Sequence, residues 1–343
     1  MPLTTSVTPG GANSYNNLLT TSVAQYVKKT FADAITTHTV YIRLLLDEDL
    51  RGRAMMNPRP AGPSRVNMDG ESIEAPVEYA LGTSQRINGD TQLNSTGREF
   101  LTKAVYEWKE MVSPPIVQTL RERNLNSGSG REFNLLQAKI DNSMKSLLEN
   151  METDMFGSST GNYMHGLRLL AEDSPSSTVG QINSTTYSWW QNQNYSTQVS
   201  NFGTSNAGFV AFQDAYDDLV RGSDKPDLFV MTQDILGYWR RYAHANGTYN
   251  ILENKAIVDV VPDSINFLNA PCIWSSACPS EHAYAINTRY DIMAVKPNQA
   301  FVHLDEVREV DRLKFASWIY IMANHITTNR KYAYSVITNI DAY

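Results

Sequence analysis

Seven apolar residues between positions 131 and 156, namely Phe133, Leu136, Ile140, Met144, Leu147, Met151 and Met155, recur at steps of three and four. That spacing lines one face of an α-helix and leaves the opposite face polar. At about 1.5 Å per residue, two dozen residues make a rod of roughly 36 Å, enough to cross a subunit. Such a rod acts as a spine against which the remaining elements pack. The preceding string SGSG at 127–130 lacks the Lys and Ser/Thr of a phosphate-binding loop and reads as the entry to this helix.

Upstream of the spine, residues 72–81 (SIEAPVEYAL) and 100–112 (FLTKAVYEWKEMV) are extended, partly alternating segments separated by a polar stretch, 82–97, with no hydrophobic period. They form a long β-hairpin with a polar tip, and Pro76 suits an edge strand. A projecting hairpin cannot bury both faces alone, so it needs a partner surface. The tip and its flank carry Arg86, Asp90, Arg98 and Glu99, which are the candidate intersubunit contacts.

Before the hairpin, residues 1–17 are polar without an apolar period and read as an arm that orders against something else. Residues 18–35 fit a short amphipathic helix, 39–46 (TVYIRLLL) a strand, and the proline-rich 56–70 a loop. After the spine come the short apolar GLRLLAED and then GQINSTTYSWWQNQN. A second lobe from about residue 201 holds a helix around 208–221, a strand at 227–231, and a helix capped by Thr232. Strand-like pieces follow at AIVDVV, APCIWSSA, HAYAIN and DIMAVK. The final FASWIYIMANHI and YAYSVITNI, joined by TTNRK, read as an antiparallel pair.

Signals for chemistry are weak. Gly157 to Gly161 satisfies G-x-S-x-G and would make Ser159 a nucleophile, but that elbow needs a strand before the serine, and here the spine helix precedes it. A glycine turn ending the helix is the plainer reading. The histidines at 38, 165, 244, 282, 303 and 325 form no i, i+4 pair, and Cys272 and Cys278 alone do not complete a zinc site. The two cysteines read as reduced, buried, small apolar groups. The acidic run Asp47, Glu48 and Asp49 reads as a solvated strand end, with a divalent-cation site as the alternative, and Trp239, Arg240 and Arg241 as an ordinary exposed helix face or a subunit contact rather than a basic-aromatic patch for nucleic acid. No cofactor and no metal are expected. A net charge of -7 argues against a protein that wraps nucleic acid, and neither a signal peptide nor a membrane-spanning run is expected.

The order of elements resembles the tailed-bacteriophage major capsid proteins with the Hong Kong 97-like fold. The likeness is carried by the arm, the extended loop from Arg65 to about Ser113, the spine Arg131 to Phe156, and the segment Gly180, Gln181, Ile182 with Trp189 to Asn192. KPDLFVMTQDILGYWRRY, the NAPCIWSSACPSEHAYAINTRYDIMAVKP run and TTNRKYAYSVITNI continue it through the second lobe. The resemblance implies an α+β fold with N-terminal arm and first helix and strand (1–63), extended β-hairpin loop (64–115), peripheral domain with spine helix (116–200), axial domain (201–299) and returning C-terminal strands (300–343).

It further implies a non-enzymatic subunit that assembles as pentamers and hexamers into an icosahedral head around double-stranded DNA. The expected location is the virion, with assembly in the host cytoplasm. A separate scaffolding protein and a portal are the expected partners, a decoration protein an optional one, and packaged DNA a non-specific neighbour. The extended loop lies over an adjacent subunit in that family. Some members cross-link through a loop lysine, but there is no lysine between Arg65 and Thr102, and Lys103 stands at the base. The shell of an encapsulin-type nanocompartment shares the pattern and is the alternative function; a serine hydrolase through Ser159 is the remote one.

Overall fold

The computed structural model describes residues 40–46, 65–67, 69–89, 96–125, 135–158, 161–195, 202–203, 206–222, 224–245, 265–268, 270–308 and 312–340. The expected arm, the helix at 18–35, the acidic run at 47–49 and the strand AIVDVV lie outside these residues. The chain divides into two compact units, a smaller one that includes Ser113–Ser146 and His303–Ile319 and a larger one of His38–Val112, Leu147–Val302 and Tyr320–Tyr343.

The spine is a helix at Leu135–Met155. Its apolar face deepens toward the C-terminus: Leu136, Ile140 and Met144 are half-buried, whereas Leu147, Met151 and Met155 are fully buried. Each fully buried side chain of this kind contributes about 1.5–3 kcal/mol relative to exposure. The helix ends in a glycine turn, with the Gly157 N–H donating to Asp154 O at 2.9 Å. Gly166 passes so close to this turn that a Cβ would lie 2.2 Å from Gly157 O, which only glycine permits.

In the smaller unit, Ile116–Thr119 pairs antiparallel with Lys314–Ser317, which pairs in turn with Val307–Arg308. The helix Leu120–Leu125 follows directly. Its start is a reciprocal capping box in which Thr119 N–H donates to Glu122 Oε2 at 3.0 Å and Glu122 N–H to Thr119 Oγ1 at 3.2 Å.

Two larger sheets lie in the larger unit, besides two two-stranded hairpins. One is built on the nine-residue strand Ile319–Thr327, flanked by Asp291–Val295 and Lys109–Val112. The other has six strands in the order Ile265–Phe267, Ala270–Trp274, Leu228–Met231, Ala283–Ile286, Tyr334–Ile337 and Gln193–Tyr195. Helices Ala207–Asp217 and Gln233–Ala245 pack with this sheet through an aromatic cluster of Phe202, Phe212, Phe229, Trp239 and Phe267. Thr232 caps the second helix as expected, its Oγ1 accepting from Ile235 N–H at 3.4 Å. Trp239 is core, not exposed face; only Arg241 of the adjacent pair is exposed.

Three sequence expectations are corrected. Residues Val40–Leu46 form a helix, not a strand. Their unbroken apolar run fits either state, and the deciding group lies far away: the Glu152 carboxylate accepts from Tyr41 N–H at 3.3 Å and Ile42 N–H at 2.7 Å, satisfying two first-turn donors. The proline-rich loop ends earlier than expected, because Arg65–Asn67 is a strand parallel to Asp291–Val295. The last two strands do not pair with each other. Between them the helical turn Arg330–Ala333 carries a fully buried Arg330, whose guanidinium donates to Leu169 O, Leu170 O and Ser184 Oγ. Satisfying that cation sends Tyr334–Ile337 into the six-stranded sheet, beside Ala283–Ile286.

Candidate functional site: an overhanging hairpin on a buried polar centre

The extended loop is a hairpin with Ser72–Glu78 antiparallel to Leu101–Glu107, and Pro76 sits on its edge strand opposite Lys103. Alternation sorts its side chains. Ile73, Ala75, Val77, Ala104 and Tyr106 are buried, whereas Glu74, Pro76, Glu78, Leu101 and Lys103 are exposed. One face is therefore covered by the chain itself, and the other is exposed. Past Trp108 the chain leaves the hairpin, and Lys109–Val112 joins Ile319–Thr327.

Four bonds fix the base. Tyr106 OH donates to Thr327 O at 2.8 Å, Val105 N–H to Gly180 O at 3.0 Å, Trp108 Nε1 to Gly70 O at 3.0 Å, and the buried Lys109 ammonium to Gly161 O. Gly180 and Gln181, with φ of 59° and 63°, turn the small hairpin Thr178–Val179 and Ile182–Asn183 in the type I′ manner. A Cβ on Gly180 would meet Ala104 Cβ at 2.9 Å, so the glycine admits the hairpin to this surface. Trp190 is buried and donates to Val179 O at 2.9 Å, while Trp189 stacks on Tyr79 at 5.3 Å.

The apolar stripe does not stop there. Tyr79 N–H bonds to Phe100 O at 3.0 Å, so these two residues face the same way, and Leu81 has the parity of Tyr79. Leu81 is 78% exposed and Phe100 50% exposed; on the other face Leu101 is 58% exposed. Beyond them, residues 81–88 and 96–100 have no regular structure. Arg86, Arg98 and Glu99 are exposed there, and Asp90 lies outside the described residues. Leu81 and Phe100 form an exposed apolar edge that sequence reasoning missed. The signal was available in the parity of Tyr79, Leu81 and Phe100.

Behind the hairpin lies a buried polar centre. Asp291 accepts from Tyr41 OH at 2.9 Å and Tyr334 OH at 2.6 Å, and its Oδ1 meets His325 Nε2. His325 Nδ1 faces a carbonyl, His165 O, at 3.0 Å and donates to it. Burial, with Lys109 and His325 nearby, pulls His165 down to about 4 and keeps its ring neutral. Glu152 is buried too and, besides the helix amides, accepts from Ser275 Oγ at 2.7 Å. Networks of this kind hold elements in place.

Ser159 lies outside the described residues, and the helix Leu135–Met155 stands where a nucleophile elbow requires a strand. Cys272 and Cys278 are free and buried, and burial raises both thiols. Among the described residues no group of three or more His, Cys, Asp or Glu could hold a metal, and no helix is long and apolar enough to cross a membrane.

No protein-family model matches the chain, and no curated protein matches it. Solved structures match its fold. The capsid of cyanophage A-1(L) aligns with a TM-score of 0.65 at 12% identity, covering 92% of this chain and 96% of that one. The capsid of a native GTA particle aligns at 0.64 and 12% identity, covering 98% and 99%. An encapsulin, SrpI of Synechococcus elongatus, aligns at 0.55 and 10% identity, covering 91% and 92%. These likenesses define the class: the chain has an α+β fold related to the Hong Kong 97-like capsid architecture.

Proposed function

We propose that this chain is the major capsid protein of a tailed bacteriophage, assembling as pentamers and hexamers into an icosahedral head around double-stranded DNA and performing no turnover chemistry. The observation that carries the reading is the overhang: a rigidly based hairpin whose apolar stripe runs past its own cover at Leu81 and Phe100. A closed assembly of identical copies covers such an edge in every subunit. In this reading 64–115 is the extended loop, 116–200 the peripheral domain, 201–299 the axial domain, 300–343 the returning strands and 1–63 the arm. Arg86, Asp90, Arg98 and Glu99 contact the neighbouring subunit, a separate scaffolding protein and a portal take part in assembly, and a decoration protein is a further partner. The particle forms in the host cytoplasm.

The likeness to an encapsulin favours a second reading, a nanocompartment shell with enzyme cargo in place of DNA. Electron microscopy of particles from expressing cells, with nuclease treatment and analysis of their contents, separates the two. Angular shells that protect genome-length duplex DNA, when terminase and portal are co-expressed, support the phage head. Shells that co-purify with a protein cargo and exclude DNA favour the compartment, and the absence of shells defeats both.

A further inference from the structure

Residues 275–282 join the strands Ala270–Trp274 and Ala283–Ile286, and the last of them, His282, reaches across to a different part of the chain. Its Nδ1 lies 2.6 Å from the backbone oxygen of Ser280, and its Nε2 lies 3.2 Å from Asp173 Oδ2. A carbonyl and an ionised carboxylate only accept, so both ring nitrogens donate and the ring carries two protons. The side chain is 15% exposed and lies over Tyr284, with ring centroids 6.3 Å apart and planes at 28°.

The groups around the ring favour this state. The bond to Asp173 raises the imidazole above its ordinary 6.5; burial opposes the rise, the Ser280 carbonyl adds to it, and Arg168 works against it. The same bond lowers the Asp173 carboxyl below its ordinary 3.8. Burial raises the Cys278 thiol and the Tyr284 hydroxyl, so both stay protonated. The neighbouring Glu281 side chain is exposed.

The turn so held is strained. Glu281 has a φ of 61°, a left-handed conformation that persists in such a residue only where its surroundings fix it. Its backbone oxygen accepts from Ile340 N–H at 3.2 Å, so the turn anchors the buried residue that ends the described chain. Asp173 is itself held in place, since Asn194 Nδ2 donates to Asp173 O at 2.6 Å.

We propose that His282 is a proton-gated clamp: with two protons it ties the turn to Asp173, and loss of one leaves a lone pair facing an acceptor, so that the turn opens and Ile340 loses its anchor. The clamp is complete below pH 6.5 and is lost as pH rises through the folded value of His282, which lies above 6.5. At the acid end it is lost as Asp173 protonates, below pH 3.8. It closes within one subunit and does not depend on the shell reading.

Amide exchange of the full-length, unassembled chain between about pH 6 and about pH 9, each rate divided by the intrinsic rate at that pH, reads the clamp in peptides covering 276–284 and 334–340. In wild type the opening constant of both is expected to rise about ten-fold for each pH unit between 6.5 and the folded value of His282. His282→Gln, which has no proton to lose, is expected to be level across the range. Asp173→Asn is expected to move the wild-type midpoint down. Level protection in wild type overturns the proposal, as does a pH dependence that survives His282→Gln. If His282→Gln does not fold, Asp173→Asn decides: a lowered midpoint supports the clamp and an unmoved one overturns it.

Discussion

Tyr79 stacks on Trp189 with ring centroids 5.3 Å apart and planes at 20°, and this pair marks where the hairpin parts from its own chain. On one side of it, Val77, Ala75 and Ile73 are buried; on the other, Leu81 stands in solvent. The chain thus passes from covered to uncovered apolar residues just beyond the end of the strand at Glu78. Its geometry is already set before any neighbour arrives, because the stack and the Tyr106 to Thr327 bond fix the hairpin's direction. A preorganised element loses less conformational entropy on docking than a flexible one.

Replacing 82–97 by an Asn-Gly turn is expected to leave the subunit folded while weakening or abolishing shells. The described part of this stretch is exposed and contributes nothing to the core. Melting of the subunit and particle yield by sedimentation check the two halves of this expectation separately. A shortened chain that collapses would place the stretch in the fold instead.

On the spine, Leu147→Asp puts a charge at a fully buried position and costs several kcal/mol, of the order of 2–7 for unpaired polar burial. Met144→Asp, at a half-buried position, costs less, and Lys145→Ala, on the exposed face, stays within about 0.5 kcal/mol. Urea unfolding of unassembled protein orders the three. Equal effects would mean that the buried face has been misassigned.

Glu152→Ala strands three donors, the Tyr41 and Ile42 amides and the Ser275 hydroxyl. At about 1–3 kcal/mol for each buried unsatisfied group, the loss is several kcal/mol. Hydrogen exchange is expected to rise first at Tyr41 and Ile42, and Glu152→Gln to recover part of the protection. Unchanged exchange at those amides would show that the helix Val40–Leu46 is held by packing alone.

The His165 ring supplies a pH dependence. Its folded value near 4 lies below the ordinary 6.5, so the unfolded chain takes up a proton that the folded chain refuses. Stability from this group is complete above pH 6.5 and falls as pH drops toward 4, by up to about 3 kcal/mol. Subtracting the profile of His165→Phe from that of wild type isolates the contribution of this ring. A difference that is flat between pH 4 and 6.5 would contradict the assignment.

The spine, the hairpin and the Thr232 cap were legible in the sequence because each is set by local period or local chemistry. What escaped reading was set at a distance. Residues 40–46 carry no helical signature that outweighs a strand, and the carboxylate that caps them is Glu152. The C-terminal strands look like partners until the buried Arg330 between them is satisfied by carbonyls of Leu169 and Leu170. At the candidate interface, attention fell on Arg86, Asp90, Arg98 and Glu99, because charge in a polar loop is conspicuous. Leu81 and Phe100 continue the core alternation and look like interior residues until the structure shows that nothing in their own chain covers them.

The most direct test is therefore the double variant Leu81→Glu with Phe100→Glu, followed by sedimentation of assembly mixtures with the unassembled subunit melted in parallel. Both side chains are largely in solvent in the subunit, so its stability is expected to change by less than about 0.5 kcal/mol. Shells are expected to disappear, because each copy would then bury two carboxylates against an apolar neighbour. Shells at wild-type yield would contradict the account, since the overhang would then not be an interface between copies.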